Sequence, residues 1–192
     1  MRFRVKKAIK TSHTRVIDYA TNGMRSDFMD IYLSAKCDFC VLSNAGLYAV
    51  PLIFRRPIVS VNMVPIGYLQ TSRSQDISII KHHFAVKQGR NLSLNEILSH
   101  NLGFSLSTDD FESNGIQLIE NTPEEIRDVV IEMYQRLNGT WQPEPNDDVL
   151  QRRFWEIFPV YAKDPCNKAP LHGQIRSRFG SDFLRNNSDF LK

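Results

Sequence analysis

The stretch at residues 37–62, CDFCVLSNAGLYAVPLIFRRPIVSVN, constrains this chain more than any other. It opens with a short apolar run at 39–42, without polar–apolar alternation, as expected of a strand covered on both faces. A small polar turn follows, Ser43-Asn44-Ala45-Gly46. A second apolar segment runs over 47–54, and the basic stop Arg55-Arg56-Pro57 leads into the β-branched run Ile58-Val59-Ser60-Val61. Strand, tight turn, helix, strand is the order of one βαβ unit, with its two strands parallel. Gly46 lets backbone approach a ligand closely, and the free N–H groups at the start of the next helix face the place where an anion would sit. The turn is therefore a candidate phosphate site, although a turn that only connects two elements is the commoner case. Pro51 falls inside the expected helix, where proline removes a hydrogen bond. Either the helix starts late, near Val50, or the phosphate geometry departs from the usual one.

With 192 residues, 42% hydrophobic and 23% charged, the chain has the size and composition of one globular domain. A net charge of +3 is too weak to argue for nucleic acid. The basic residues are nevertheless unevenly placed: Arg2, Arg4, Lys6, Lys7, Lys10 and Arg15 precede the first acid, Asp18. Residues 1–15 are read as a basic arm that can touch anionic lipid or nucleic acid, with a solvated terminus as the commoner outcome. No apolar h-region follows it, and no run approaches the roughly 18–20 apolar residues needed to cross a bilayer. Three cysteines without a secretory signal suggest a reducing, cytoplasmic setting, at most against the inner face of a membrane. Cys37 and Cys40 spell C-x-x-C. If both lie on a strand they face opposite sides, so the sulfurs are not expected to share a metal. No second Cys/His pair completes a site, and none is assigned.

Along the chain, residues 16–20 read as a short strand, and Ser26 as the N-cap of a helix over roughly 27–35 whose Phe28, Ile31, Tyr32 and Ala35 share one face. Residues 62–67 make a loop at a strand's carboxyl end, and 77–81 another short strand. Ser93 and Glu96 form a capping box for a short helix; 105–114 reads as a polar loop and 116–119 as a strand. Thr122-Pro123-Glu124-Glu125 is a second capping box, with proline at the first helical position, followed by Ile126, Val129, Val130, Met133 and Leu137 at helical spacing. A further helix covers about 147–158, and an amphipathic piece closes the chain at 181–192. The domain reading is a basic arm at 1–15, a Rossmann-like α/β domain at 16–140 with helices on both faces of a parallel sheet, and a helical extension at 141–192. Ligands of such sheets bind beyond the carboxyl ends of the strands, where the 43–46 turn and the 62–67 loop both fall.

Catalytic signatures are absent: there is no G-x-S-x-G, Walker A, G-x-G-x-x-G, H-E-x-x-H or Asp-x-Asp. Asp109-Asp110 and Asp147-Asp148 read as solvated loop and cap acids. His82 and His83 are neighbours on a strand end, so at most one is expected to line a site. A set of motifs nevertheless runs in order over residues 16–184. They are V-I-D-Y-A at 16–20, S-D-F-M-D at 26–30, the glycine turn at 43–46, R-P-I-V-S-V-N at 56–62 and I-K at 80–81. G-R-N-L-S at 89–93, E-N-T-P-E-E-I at 120–126 and R-F-G-S-D-F-L at 178–184 complete it. In this order the sequence resembles the C-terminal, donor-binding half of a family of bacterial glycosyltransferases linked to surface-carbohydrate synthesis, whose expected fold is GT-B: two Rossmann-like domains facing across a cleft.

The resemblance implies a nucleotide-sugar-binding domain of a metal-independent glycosyltransferase, with the nucleotide-diphosphate sugar as co-substrate and no further cofactor. It sets Ser43, Asn44, Ala45 and Gly46 beside the diphosphate. Lys81 and Arg90 are the candidate cations for the leaving diphosphate, and Asn62 a candidate hydrogen-bonding partner of ribose or sugar. Each has a plainer reading, as surface charges and as a loop amide capping its own turn. No residue is assigned as catalytic. The chain begins where the family's C-terminal domain begins, so an N-terminal acceptor domain is the expected partner, meeting apolar or donor-contacting groups around 62–67. Two alternatives stay open: a sugar-nucleotide 2-epimerase-like enzyme, which would need acids close to the glycine turn, and a degenerate, non-enzymatic interaction module of the same fold.

Overall fold

A computed structural model describes residue 8 and residues 11–43, 46–164 and 168–192. The elements begin with α1 (Asp27–Lys36), β1 (Cys40–Leu42), α2 (Ala49–Ile53), β2 (Ile58–Met63) and β3 (Ile77–Ile80). The middle of the chain supplies β4 (His82–Ala85), β5 (Arg90–Asn91), α3 (Leu94–Ser99), α4 (Thr108–Ser113), β6 (Ile116–Ile119) and the long helix α5 (Pro123–Leu137). The last part supplies α6 (Asp147–Ile157), β7 (Arg178–Phe179) and α7 (Ser181–Asn186). Short 3-10 turns fill several of the joints.

Four strands form a wholly parallel sheet in the order β1-β2-β3-β7, flanked by helices and compatible with a Rossmann-like fold. The run of buried side chains from Ile58 to Val61 and from Ile77 to Ile80 explains why these strands do not alternate: both faces are covered. Three more strands form a separate antiparallel sheet, β5-β4-β6. Lys81 alone lies between β3 and β4, so the chain passes from one sheet to the other at that residue.

The two capping boxes are both formed. Ser93 and Glu96 start α3, and Thr122 and Glu125 start α5 with Pro123 in its first turn, where the missing N–H has no intrahelical role. α2 starts at Ala49 after a 3-10 turn over Gly46–Tyr48, so Pro51 also falls in a first turn and removes no helical bond.

Elsewhere the structure departs from the sequence reading. Residues 16–20 form turns and irregular chain, not a strand. Residues 105–114 contain α4, capped by Ser107, because buried Phe111 anchors an otherwise polar turn of helix. The segment 141–192 adds more than helices: it supplies β7, paired in parallel with β3. Gly180, just after β7, sits so close to the sheet that a Cβ there would lie 2.6 Å from Ile79 Cγ2. Of the basic arm, residues 1–7, 9 and 10 lie outside the described residues.

Cys37 is not on a strand either. It is the C-cap of α1, and its Sγ lies 3.3 Å from Cys40 Sγ at the start of β1. The expectation that the sulfurs point apart fails because the chain turns between them.

Candidate functional site

The carboxyl ends of β1, β2 and β3 define one edge of the parallel sheet, the usual place for a ligand in this architecture. Ser43 follows β1 directly, Asn62 lies near the end of β2, and Lys81 follows β3.

Asn62 belongs to the strand, not to a loop after it. It adopts φ 54° at a shift of register between β2 and β3, a bulge that an asparagine tolerates better than most residues. The bulge serves a reciprocal clasp: Asn62 N–H donates to Asn121 Oδ1 at 2.7 Å, and Asn121 N–H donates to Asn62 Oδ1 at 2.6 Å. Asn121 Nδ2 also donates to the Ile80 carbonyl at 2.7 Å. One buried amide thus ties the ends of β2 and β3 to the start of α5. The segment after Asn62 is not an exposed apolar face, since Met63, Pro65, Ile66 and Gly67 are all buried. Gly67 accounts for part of this, as a Cβ there would meet the Phe104 ring at 2.3 Å.

A cavity of about 690 Å³ opens beside the end of β3, within the range that holds drug-sized and cofactor-sized ligands. Lys81, His82, His83, Arg90, Asn187 and Phe190 are among its lining. Lys81 Nζ is 3.6 Å from the largely exposed Glu120 carboxylate, a loose surface pair worth little and easily exchanged for another anion. Arg90 is more committed. Its guanidinium donates to both Glu96 oxygens, at 2.8 and 2.6 Å. That guanidinium, followed by the Ser93 N–H, holds the Glu96 carboxyl at about 2. An anion drawn to Arg90 has to compete with this carboxylate.

His82 and His83 both border the cavity, although only one was expected to. Their rings do face different neighbours: His82 stacks on Phe183 at 5.5 Å, and His83 lies 5.7 Å from Phe111. His82 Nε2 is 3.0 Å from the Glu125 carboxylate. Burial penalises the charged form of Glu125, but donors from His82, Thr122 and Asn187 outweigh it and hold the carboxyl below its usual range. His83 is buried, and its Nδ1 donates to the Lys81 carbonyl at 3.0 Å, which leaves Nε2 as a lone-pair nitrogen without a partner among the described residues. Burial lowers its pKa to about 4, so the ring is neutral at pH 7.

The structure brings Lys81 and Arg90 to one cavity and leaves Ser43, Gly46 and Asn62 out of its lining. Asn44 and Ala45 lie outside the described residues. Gly46 is exposed, its φ is not in the left-handed region, and a Cβ would find nothing within 4 Å. No backbone conformation here requires glycine. Sequence reasoning passed over Asn121 and the pairing of His82 with Glu125. Asn121 stands directly before a clear N-cap, a position that carries no signal until β2 and β3 are laid beside it.

Among the described residues, no three His, Cys, Asp or Glu side chains group as a metal site, and no helix is long and apolar enough to cross a membrane. The chain gives no significant match to protein-family models, to curated proteins or to solved structures.

Proposed function

We propose that this chain is the nucleotide-sugar donor-binding domain of a metal-independent, GT-B-type glycosyltransferase. The observation that carries the reading is the cavity at the carboxyl end of β3, where Lys81 and Arg90 converge beside a parallel sheet. Bound there, the diphosphate of a donor meets Lys81, whose present partner Glu120 is exposed and weakly held. Ser43, directly after β1, lies at the same edge of the sheet. Transfer needs the leaving diphosphate stabilised as negative charge develops on it, and a fixed cation with backbone N–H groups supplies that stabilisation without a metal. The acceptor belongs to a second domain facing this edge, and the reaction takes place in the cytoplasm.

The test is calorimetric titration with nucleosides, nucleoside diphosphates and nucleotide-diphosphate sugars. The expected outcome is binding of the diphosphates, unchanged by EDTA. Lys81→Ala should weaken diphosphate binding about tenfold, roughly 1.4 kcal/mol, and leave nucleoside binding as it is. Gly46→Val is the companion variant. Because its Cβ meets open space, melting should be unchanged, and any loss of diphosphate affinity reports a close approach of phosphate to the turn. Absence of binding to every diphosphate at millimolar concentration would sink the donor reading and leave the interaction module.

A further inference from the structure

We propose that Cys37 and Cys40 form a thiol–disulfide couple, an oxidation site that closes the corner between α1 and β1. The sulfurs are already 3.3 Å apart, and a disulfide bond of about 2.05 Å needs an approach of only about 1.2 Å between them. Both thiols are free and only partly buried, so a small reagent can reach them. The corner is held from both sides without the bridge. Cys37 N–H donates to the Leu33 carbonyl and Cys40 N–H to the Pro57 carbonyl at 3.0 Å, while Arg56 Nε donates to the Ala35 carbonyl at 2.6 Å. The two residues are thus preorganised by the chain around them and do not rely on each other for position.

The hydrogen bonds assign the order of attack. Cys37 S–H donates to the Ser34 carbonyl at 3.2 Å, which leaves the Cys40 S–H to donate to Cys37 Sγ. A thiolate at Cys37 therefore keeps a donor beside it. Cys40 does not share this support: burial first, and the neighbouring Cys37 next, push its thiol up to about 12. Cys37 attacks and Cys40 resolves. With a small-molecule disulfide RSSR as oxidant, the Cys37 thiolate attacks one sulfur, forms Cys37–S–S–R and releases RS⁻. Capping Cys37 in this way removes its own contribution to the high Cys40 value. Cys40 then yields its proton to water and attacks Cys37 Sγ, closing the intrachain bond and releasing the second RS⁻. The protein loses two electrons and RSSR gains them.

The experiment uses the full chain with Cys166→Ser, so that the pair supplies the only thiols, in glutathione buffers from fully reduced to fully oxidised. The expected result is a monomer about 2 Da lighter with no alkylatable thiol, reversed by reduced glutathione. Adding Cys40→Ser should trap a glutathione adduct on Cys37, whereas adding Cys37→Ser should slow adduct formation on Cys40 about tenfold. Two thiols still alkylatable in fully oxidised glutathione, or disulfides only between chains, would overturn the couple. Equal adduct rates in the two single-thiol variants would overturn the assigned order.

Discussion

The two ends of the parallel sheet are built in opposite ways. At the β7 end, Phe154, Phe158, Phe179, Phe183 and Phe190 form a continuous aromatic cluster, with Phe154 and Phe179 stacked at 4.2 Å. Two buried polar side chains packed beside it, Glu132 and Gln151, have partners. Glu132 is fully buried and accepts from Arg136, from the Ser181 N–H at 2.8 Å and from the Ser181 hydroxyl at 3.0 Å. Gln151 exchanges hydrogen bonds with the backbone of Phe179. At the β1 end, α1 turns its apolar stripe outward: Phe28, 72% exposed, stacks on Tyr32 at 5.7 Å, and Ile31 beside them is exposed too. The buried residue of α1 is Ser34. Two helices with similar apolar patterns meet different fates because a stripe is buried only where an element of matching shape reaches it. The segment after residue 141 returns to pair β7 with β3 and to bring α6 and α7 with it; α2 touches α1 but leaves Phe28, Ile31 and Tyr32 exposed.

This contrast is open to direct attack, and the largest effect comes from truncating the aromatic cluster. Phe154→Ala should cost about 3–5 kcal/mol, from lost burial and the cavity left behind, whereas Phe28→Ala should stay within about 0.5 kcal/mol. Chemical denaturation of both variants checks it, and comparable losses would erase the distinction between the two ends. Between them lies the Asn62–Asn121 clasp. Asn121→Ala leaves the Asn62 N–H and the Ile80 carbonyl without their partner, and a loss of about 1–3 kcal/mol is expected. A loss under 0.5 kcal/mol would mean that water replaces the amide and that the edge of the sheet is more open than its geometry suggests.

The smallest effect in the wild type arises from two buried groups that oppose each other. Burial raises the Asp76 carboxyl to about 6, against the opposing effects of Arg73 and the Ile58 N–H. Below pH 6, folded Asp76 holds a proton that the unfolded chain, with a value of about 3.9, does not, so this group adds stability as pH falls. His83, at about 4 when folded, refuses a proton that the unfolded chain takes up at about 6.5, so its contribution is lost as pH falls. The two slopes have opposite sign between about pH 4.5 and 6. Asp76→Asn keeps an oxygen for the Ile58 N–H and removes the titration together with the ion pair to Arg73, 3.7 Å away. As pH drops through that window its stability should fall more steeply than that of the wild type. Parallel slopes in urea titrations at pH 4.5, 5.3 and 6 would refute the pairing.

Much of the βαβ unit was legible because its information is local. β1, α2 and β2 follow one another in the order read, and uninterrupted apolar runs such as those of β2 and β3 are what two-sided burial demands. The candidate site was legible only in part. Lys81 is marked by its position after an apolar strand, but nothing near it in sequence says that Arg90, Phe183 and Asn187 border the same cavity. The Glu96 carboxylate bound to Arg90 was also out of view, because the capping box already gave Glu96 a role, and both roles turn out to be filled at once.

The sequence by itself determined where α3 and α5 start. Ser93 with Glu96, and Thr122 with Glu125, bond across three residues of chain, a distance that local geometry alone sets. It did not determine which strands are covered on both faces: the 39–42 run reads as such a strand, yet no residue of β1 is buried and Val41 is 41% exposed, because β1 is the edge of the sheet. Tertiary structure decided the rest: the second sheet that begins at His82, the return of Arg178 and Phe179 beside β3, the outward turn of Phe28, and the meeting of Cys37 with Cys40. The physical reason is the same in each case. Pairing across an edge, covering an apolar stripe and bringing two sulfurs together depend on where distant or turned segments come to rest, and the energy that settles this is burial summed over the whole core rather than any residue's own preference.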